Sequence, residues 1–409
     1  MDPSRRPWTI PLVLGLVAQA LFSFRLTTPH GFVFDEVHYV PAARMLLALS
    51  GPANIEHPLF GKTLIALGMA VAGDNPLGWR VTSTLAGTAT VLSLYAIVRL
   101  LTGRSRPALI AGVLAIVGQT VFVQARIAML DTFMAALLAG GLALLLWALR
   151  TRRHAWPKWL GGAVLLGLAI GTKWAALPYL GFAGGALIVL RLRDRADRSL
   201  PTLPALIALG GVAGLAYVAT FTPAFFYARD PLTLDRLVAF HAQMYALQTQ
   251  VLPAHTYQSN WWTWPLMLRP IWYFYESADG AQRGIWLIAN PAVAWGGLVA
   301  VAACLWFGGR QRSLATLAPA ALWIASVLMW AAIPKSLGFY YYYYPSSLWL
   351  VVALAVGWDR VDPGGRRRWD EWYVLAAVAL FAYFWPVLSA APLDTPGAFH
   401  RWTWFERWI

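Results

Sequence analysis

Apolar stretches, most of roughly 17–25 residues, recur along the chain between short arginine-rich segments, the spacing expected of helices that cross a bilayer. The pattern predicts spanning helices over 8–26, 79–101, 108–124, 132–149, 159–171, 175–190, 203–220, 285–307, 314–332, 342–358 and 371–389, about 11 in all. Two mixed segments interrupt it, 27–79 and 222–284. Within the first, 40–49 reads as a helix. The run 63–72 is apolar but too short to span, and reads as a helix lying along the membrane surface. The fold class is therefore an all-α polytopic membrane protein, one domain over 1–409. Two long outer loops and a C-terminal four-helix region over 285–409 are its subdivisions.

The first apolar run invites a second reading. Arg5 and Arg6 followed by an apolar stretch and Ala18-Gln19-Ala20 resemble a signal peptide with its cleavage site. Leu21, Phe22 and Phe24 continue the apolar run beyond that point, which favours an uncleaved first membrane helix.

Composition agrees with a bilayer environment. Charged residues make up 12% of the 409 and apolar residues 59%, whereas soluble domains carry roughly 25% charged residues. A water-soluble enzyme is excluded. The formal charge of +14 is dispersed over short loops rather than gathered on one face, so it argues for orientation in a membrane and not for nucleic acid. With a cytoplasmic N-terminus, the basic groups Arg5–Arg6, Arg99–Arg106, Arg150–Lys158, Arg191–Arg198, Arg310–Arg312 and Arg360–Arg368 all fall inside, as the positive-inside rule expects. Both long loops and the stretch 391–409 are then extracytoplasmic. The single cysteine, Cys304, excludes an intramolecular disulfide and any cysteine-cluster metal site.

A transporter is the rival for so many helices. Transporters tend to show internal repeats and ionisable groups near mid-membrane. No repeat is visible here, and the ionisable residues away from the basic loops sit at helix ends and in the two long loops. That distribution suits an enzyme working at the outer membrane surface. A non-catalytic lipid-binding subunit would share it.

Several residues carry candidate chemistry. Asp35-Glu36 follows the first membrane helix, and adjacent carboxylates at an apolar boundary can hold one raised pKa and serve as a base. The competing role for Asp35 is a cap on the helix starting near Val37. Arg126 and Asp131 flank an apolar stretch, Lys173 lies between two hydrophobic runs, and Lys335 precedes the tyrosines 340–344. Each can anchor a helix end by snorkelling, yet all would collect at one membrane surface, as a lipid-phosphate site requires. Glu56 and His57 offer oxygen and nitrogen donors. Two adjacent ligands are a weak metal signature, so a divalent cation is left open and no metal or cofactor is assigned. The second loop carries His255, Tyr257, Gln258 and Ser259, then Trp261, Trp262 and Trp264, then Arg269. Its tryptophans read either as an interfacial belt or as a cradle for a sugar or peptide.

Six motifs in order resemble the protein O-mannosyltransferases of glycosyltransferase family 39, within the C-type superfamily of lipid-phosphate-sugar-dependent transferases. They are FDEVHY at 34–39, EHPLFGKTLIALG at 56–68, ARIAMLD at 125–131, GTKWAAL at 171–177, HTYQSNWWTWPLMLRPIWY at 255–273 and ANPAVAW at 289–295. The bacterial form is the one resembled. The resemblance implies a polyprenyl-phosphate sugar donor, inversion at the anomeric carbon, and Ser or Thr hydroxyls of exported proteins as acceptors, at a bacterial-type inner membrane. It implies Asp35 as base with Glu36 tuning the pocket. Arg126, Lys173, Lys335 and Arg269 become candidate phosphate cations; Glu56, His57 and Asp131 join the donor site, and His255, Tyr257, Gln258 and Ser259 the acceptor side. One departure stands out. The segment 334–345 lacks the arginine expected of bacterial mannosyltransferases and looks more like the lysine-containing stretch of the lipid A aminoarabinose transferases, so an envelope glycolipid is the alternative acceptor.

Overall fold

The computed structural model describes residues 8–151, 153–193 and 199–409. Arg5, Arg6, Arg152, Arg195 and Arg198 of the charge argument lie outside the described residues. The chain opens with α1 (Thr9–Ser23), whose Leu14, Ala18 and Phe22 are buried. Gln19 fixes it to the next long helix, donating to Thr84 Oγ1 at 2.8 Å and accepting from Thr88 Oγ1 at 2.9 Å. Ala18, at the candidate cleavage site, is thus packed inside the bundle.

The first long loop folds into two helices, α2 (Glu36–Leu47) and α3 (Phe60–Ala72). Next comes α4 (Pro76–Thr102), started by a proline at its first position and by Asn75, whose Oδ1 accepts from Leu77 N and Gly78 N at 3.0 and 3.2 Å. Gly68 of α3 lies against the α4 backbone, where an added Cβ would meet Gly78 O at 2.3 Å. Only a glycine permits that approach, and it seats the first loop on the bundle.

The expected single span over 108–124 is two helices, α5 (Ser105–Ile116) and α6 (Gln119–Gln124). The break falls at Val117-Gly118, and Asn290 Nδ2 caps the exposed Val117 carbonyl at 3.2 Å. A non-helical turn at this depth survives because protein, not lipid, satisfies its backbone. The bundle continues with α7 (Leu130–Arg150), α8 (Ala155–Ile170), α9 (Leu177–Arg193) and α10 (Thr202–Ala219). The second loop carries α11 (Leu237–Thr249) and an antiparallel hairpin, β1 (Ile271–Ala278) with β2 (Ala281–Leu287). The span expected from 285 therefore starts later. Ile285, Trp286 and Leu287 are strand residues, and α12 (Pro291–Arg310) begins after Asn290 caps Ala292 N. These three strand residues are all apolar and buried, so in sequence they merge with the apolar run of the helix that follows. The chain closes with α13 (Leu314–Leu328), α14 (Tyr344–Val361) and α15 (Trp369–Leu388).

Among the described residues, seven helical segments are long and apolar enough to cross a membrane: 76–102, 130–150, 174–193, 202–226, 291–310, 314–331 and 369–388. The shorter apolar helices α1, α3, α5 and α8 and the largely buried α14 also belong to the bundle. The protein is a multi-pass membrane protein. Its basic loops meet at one end: Arg104 pairs with Asp359 at 2.9 Å, Arg106 with Asp370 at 2.8 Å, and Arg193 donates to Arg312 O at 3.2 Å. The two long loops meet at the other, and the C-terminal segment joins them there, with Leu393 N on Gln282 O at 2.8 Å and Trp408 Nε1 on Met267 O at 2.7 Å.

Candidate active site

The turn leading into α2 ends at Phe34, a bulky residue at φ 51°. This left-handed conformation costs energy and persists only where its surroundings hold it. The Phe34 ring stacks on Tyr273 of β1, with centroids 4.2 Å apart and planes 19° apart, and meets the edge of Tyr341 at 5.7 Å. The next residue is Asp35. It occupies the N-cap position of α2 but makes no side-chain cap, so the capping role does not describe it. Instead its Oδ2 accepts from the Tyr39 hydroxyl at 3.2 Å. Burial holds the Asp35 carboxyl above the ordinary carboxylate range, against the opposing pull of the Lys173 ammonium and with Asp131 reinforcing it.

Glu36 is fully buried and committed. Arg80 of α4 donates to it from Nε and Nη2 at 2.8 and 2.7 Å, and Val33 N and Ala128 N each add a bond at 2.8 Å. Arg80 also donates to the carbonyls of Leu26, Pro29 and Gly31. This pair pins the Asp35 backbone to α4 and to the segment before α7. Arg80 was not anticipated from sequence, although a charge just inside an apolar run is itself a signal.

A cleft of about 210 Å³ is lined by Asp131, Met134, Lys173, Trp174, Trp330 and Lys335, among others, and its Asp131 and Lys173 act electrostatically on Asp35. Lys173 Nζ donates to both oxygens of Asp131, at 2.9 and 2.8 Å, and lies 5.1 Å over the Tyr341 ring. Lys335 Nζ bonds Gln248 Oε1 at 2.7 Å. Burial, with Lys173 nearby, lowers the Lys335 pKa to about 8. The 53–57 turn lies within electrostatic reach of the cleft lysines, His57 of Lys173 and Lys335 and Glu56 of Lys335. Buried Lys62 of α3 holds it, donating to Asn54 O at 2.6 Å, His57 O at 2.8 Å and Ala53 O at 3.3 Å. Asn54 Nδ2 bonds the Glu56 carboxylate. Burial pushes the His57 pKa well below its usual value, and Lys173, Lys62 and Lys335 push the same way. Among the described residues no cluster of three or more His, Cys, Asp or Glu is placed to hold a metal ion.

Asp35, Glu56, His57, Asp131, Lys173 and Lys335 therefore share one region. Two expected cations do not join it. Arg126 is turned to the end of α1, donating to Phe24 O at 2.6 Å, Phe22 O at 2.9 Å, Arg25 O at 3.3 Å and Leu21 O at 3.4 Å, with its guanidinium 4.9 Å over Phe122. A buried guanidinium with four carbonyl acceptors is a helix anchor. Arg269 likewise donates to Ile409 O at 2.6 Å, Arg407 O at 3.0 Å and Thr256 O at 3.0 Å, tying the C-terminal segment to the second loop. The exposed turn beside it is organised by His255: Gln258 Oε1 accepts from His255 N and His255 Nδ1 from Tyr257 N, each at 3.1 Å. Ser259 N reaches Gly338 O at 2.8 Å, so the turn borders the Lys335 segment. Tyr39, Lys62, Tyr273 and Gln248 were not singled out from sequence. Lys62 lies in a quoted motif, whereas Gln248 carries no local signal.

Two family models match, one described as dolichyl-phosphate-mannose-protein mannosyltransferase over residues 56–221 and one as the C-terminal four-transmembrane region of protein O-mannosyltransferase over 233–408. A curated polyprenol-phosphate-mannose–protein mannosyltransferase of Mycobacterium tuberculosis is 28% identical over 93% of this chain and 88% of its own length. An undecaprenyl phosphate-α-4-amino-4-deoxy-L-arabinose arabinosyl transferase of Pseudomonas fluorescens is 33% identical, over 42% of this chain and 33% of its own. Among solved structures, the S. cerevisiae protein O-mannosyltransferase Pmt1–Pmt2 complex bound to the sugar donor superposes with a TM-score of 0.85 at 13% identity, covering 100% of this chain and 93% of that one.

Proposed function

The chain belongs to the protein O-mannosyltransferase family, and from that premise we propose that it transfers a mannosyl residue from a polyprenyl-phosphate donor to Ser or Thr hydroxyls of exported proteins, inverting the anomeric carbon. One observation carries the reading. A carboxylate of raised proton affinity, Asp35, lies within electrostatic reach of Lys173 and Asp131, which line a cleft that also holds Lys335 and is otherwise mainly apolar and aromatic.

The chemistry follows from that pairing. The donor's lipid lies along the apolar lining and its phosphate meets the Lys335 ammonium, with the Lys173–Asp131 pair beside it. As the C1–O bond to phosphate breaks, both bonding electrons stay with the phosphate oxygen, and fixed cations in a partly dehydrated site stabilise the charge that develops. The acceptor hydroxyl attacks C1 from the opposite face and gives its proton to Asp35. Glu36 and Arg80 hold the base in place and touch no reactant. Glu56 and His57 line the donor side. The turn containing His255, Tyr257, Gln258 and Ser259 forms the acceptor edge. Arg126 and Arg269 have no part in phosphate binding in this scheme. Because the basic loops gather at the opposite end of the bundle, the site faces the extracytoplasmic side of a bacterial-type inner membrane.

The test is incubation of the purified protein with polyprenyl-phosphate mannose and a Ser/Thr-containing peptide, read by mass spectrometry. A peptide gain of one hexose is expected. No gain with any such peptide, together with modification of a lipid A acceptor, would replace the protein acceptor by an envelope glycolipid.

A further inference from the structure

One side chain outside the scheme above touches both sides of the cleft. Gln248, in the last turn of α11, donates from Nε2 to Glu56 O and to His57 Nδ1, the latter at 2.9 Å, and accepts from Lys335 Nζ at 2.7 Å at its Oε1. The chemistry of its partners fixes its orientation. An ammonium only donates and a backbone carbonyl only accepts, so Oε1 must face Lys335 and the amino group must face Glu56 O. The second amide proton then points at His57 Nδ1, which is left to act as acceptor. The His57 ring proton must therefore be on Nε2.

We propose that Gln248 is a positioning residue for the donor site: it holds His57 as the neutral Nε2–H tautomer and sets the place of the Lys335 ammonium. The surroundings fit that role. Burial and the ammonium groups of Lys62, Lys173 and Lys335 disfavour a charged His57. Lys62 fixes the His57 backbone from below, donating to its carbonyl at 2.8 Å. Between a neutral imidazole and an ammonium, an amide is suited where a carboxylate is not. A carboxylate would offer His57 and the Glu56 carbonyl no proton, and it would neutralise Lys335 before any phosphate arrived. The amide adds no negative charge of its own and leaves the ammonium available to an anionic ligand. His57 then presents a fixed N–H donor, suited to a phosphate oxygen or a sugar hydroxyl. Gln248, on α11 of the second loop, thereby ties the first loop's Glu56 and His57 to Lys335 in the segment between α13 and α14.

The consequence for the donor rests on the mannosyltransferase reading; the tautomer does not, and the experiment separates them. Selective 15N-histidine NMR of the full chain in nanodiscs, with His57 assigned by comparison with His57→Asn, reads the tautomer without any turnover. The expected wild-type signal at neutral pH is a neutral ring protonated at Nε2. In Gln248→Met, which keeps length but offers no amide, this signal should become a tautomer mixture. In Gln248→Glu the ring should be protonated at Nδ1. With polyprenyl-phosphate mannose as donor, both variants should raise its KM by about tenfold or more while changing kcat less, the loss expected for one bond to a charged group. A wild-type Nδ1–H or imidazolium signal, or an Nε2–H signal unchanged in Gln248→Met, would overturn the proposal. So would an unchanged donor KM in both variants of an active enzyme. Absence of transfer by the wild-type protein, with the NMR result as expected, would overturn the donor reading and leave the tautomer assignment standing.

Discussion

Lys173 donates to both oxygens of a single carboxylate, Asp131, at 2.9 and 2.8 Å, with both side chains almost wholly buried. Asp131 opens α7 and Lys173 lies in the turn after α8, so the pair joins two helix ends at the level of Asp35. It is also where the cleft's positive charge is most confined. Removing one member leaves the other buried and uncompensated, which costs about 3–5 kcal/mol. Lys173→Met should therefore lower both the melting temperature in detergent and the turnover. Lys173→Met combined with Asp131→Asn should recover much of the stability and none of the rate. Recovery of both would make the pair purely structural.

Arg126 is expected to behave differently from a phosphate ligand. Its guanidinium is spent on the carbonyls that end α1, and each buried acceptor left without a partner costs about 1–3 kcal/mol. Arg126→Met should reduce thermal stability by several degrees while leaving the donor KM of the folded fraction near wild type. A stable variant with a large rise in donor KM would return Arg126 to the phosphate.

These two residues show what the chain discloses in one dimension. Membrane helices and loop lengths follow from local composition, because a bilayer imposes length and polarity on every span, whereas the roles expected of Asp35, Lys173 and Lys335 came with the family resemblance of their motifs. Arg126 and Arg269 sit in equally recognisable motifs, yet a motif does not reveal which way a guanidinium turns. Both were occupied by carbonyls from segments distant in sequence. The hairpin over 271–287 was hidden for a related reason: the apolar end of its second strand lies only a few residues before α12, so the apolar run reads as one element. Gln248 was illegible altogether, since its meaning lies only in Glu56, His57 and Lys335.

Topology offers a direct check. The C-terminal segment is tied to the second loop through Leu393 and Gln282, at the end away from the basic loops. The native cysteine, Cys304, is buried, so one introduced at Thr395 reports alone. Thr395→Cys should react with an impermeant maleimide in intact cells. Protection until the cytoplasmic face is opened would invert the orientation and place the cleft inside.

The pH dependence of transfer follows from two shifted groups of opposite role. Asp35 must be ionised to accept a proton, and burial raises its pKa. Its base function is lost as pH falls through that raised value, so the acid limb should lie above the ordinary aspartate value of about 3.9. Lys335 must be charged to meet phosphate, and burial lowers its pKa to about 8. Its charge is lost as pH rises through that value, which puts an alkaline limb near pH 8. Lys335→Arg, which stays ionised throughout, should move the alkaline limb upward at some cost in rate. An alkaline limb unmoved in that variant would assign it to another group.

Asp35 itself gives the sharpest test. Its carboxylate is the candidate base, held beside Tyr39 by a 3.2 Å hydrogen bond and placed by the strained Phe34 turn before it. A serine or threonine hydroxyl is a poor nucleophile until its proton has somewhere to go, and a positioned base contributes about 10²–10⁴-fold. Asp35→Asn preserves the side-chain shape and can still accept from Tyr39, but it cannot take a proton at working pH. The variant should fold, because the buried anchor of this turn is the Glu36–Arg80 pair and not Asp35. It should bind polyprenyl-phosphate mannose with near wild-type affinity and lose transfer by at least about two decades. Donor binding by isothermal calorimetry and single-turnover transfer to peptide would be measured on the same preparation. Transfer close to the wild-type rate in a folded, donor-binding variant would remove Asp35 as the base and move the search to Glu56, a carboxylate that acts electrostatically on Lys335.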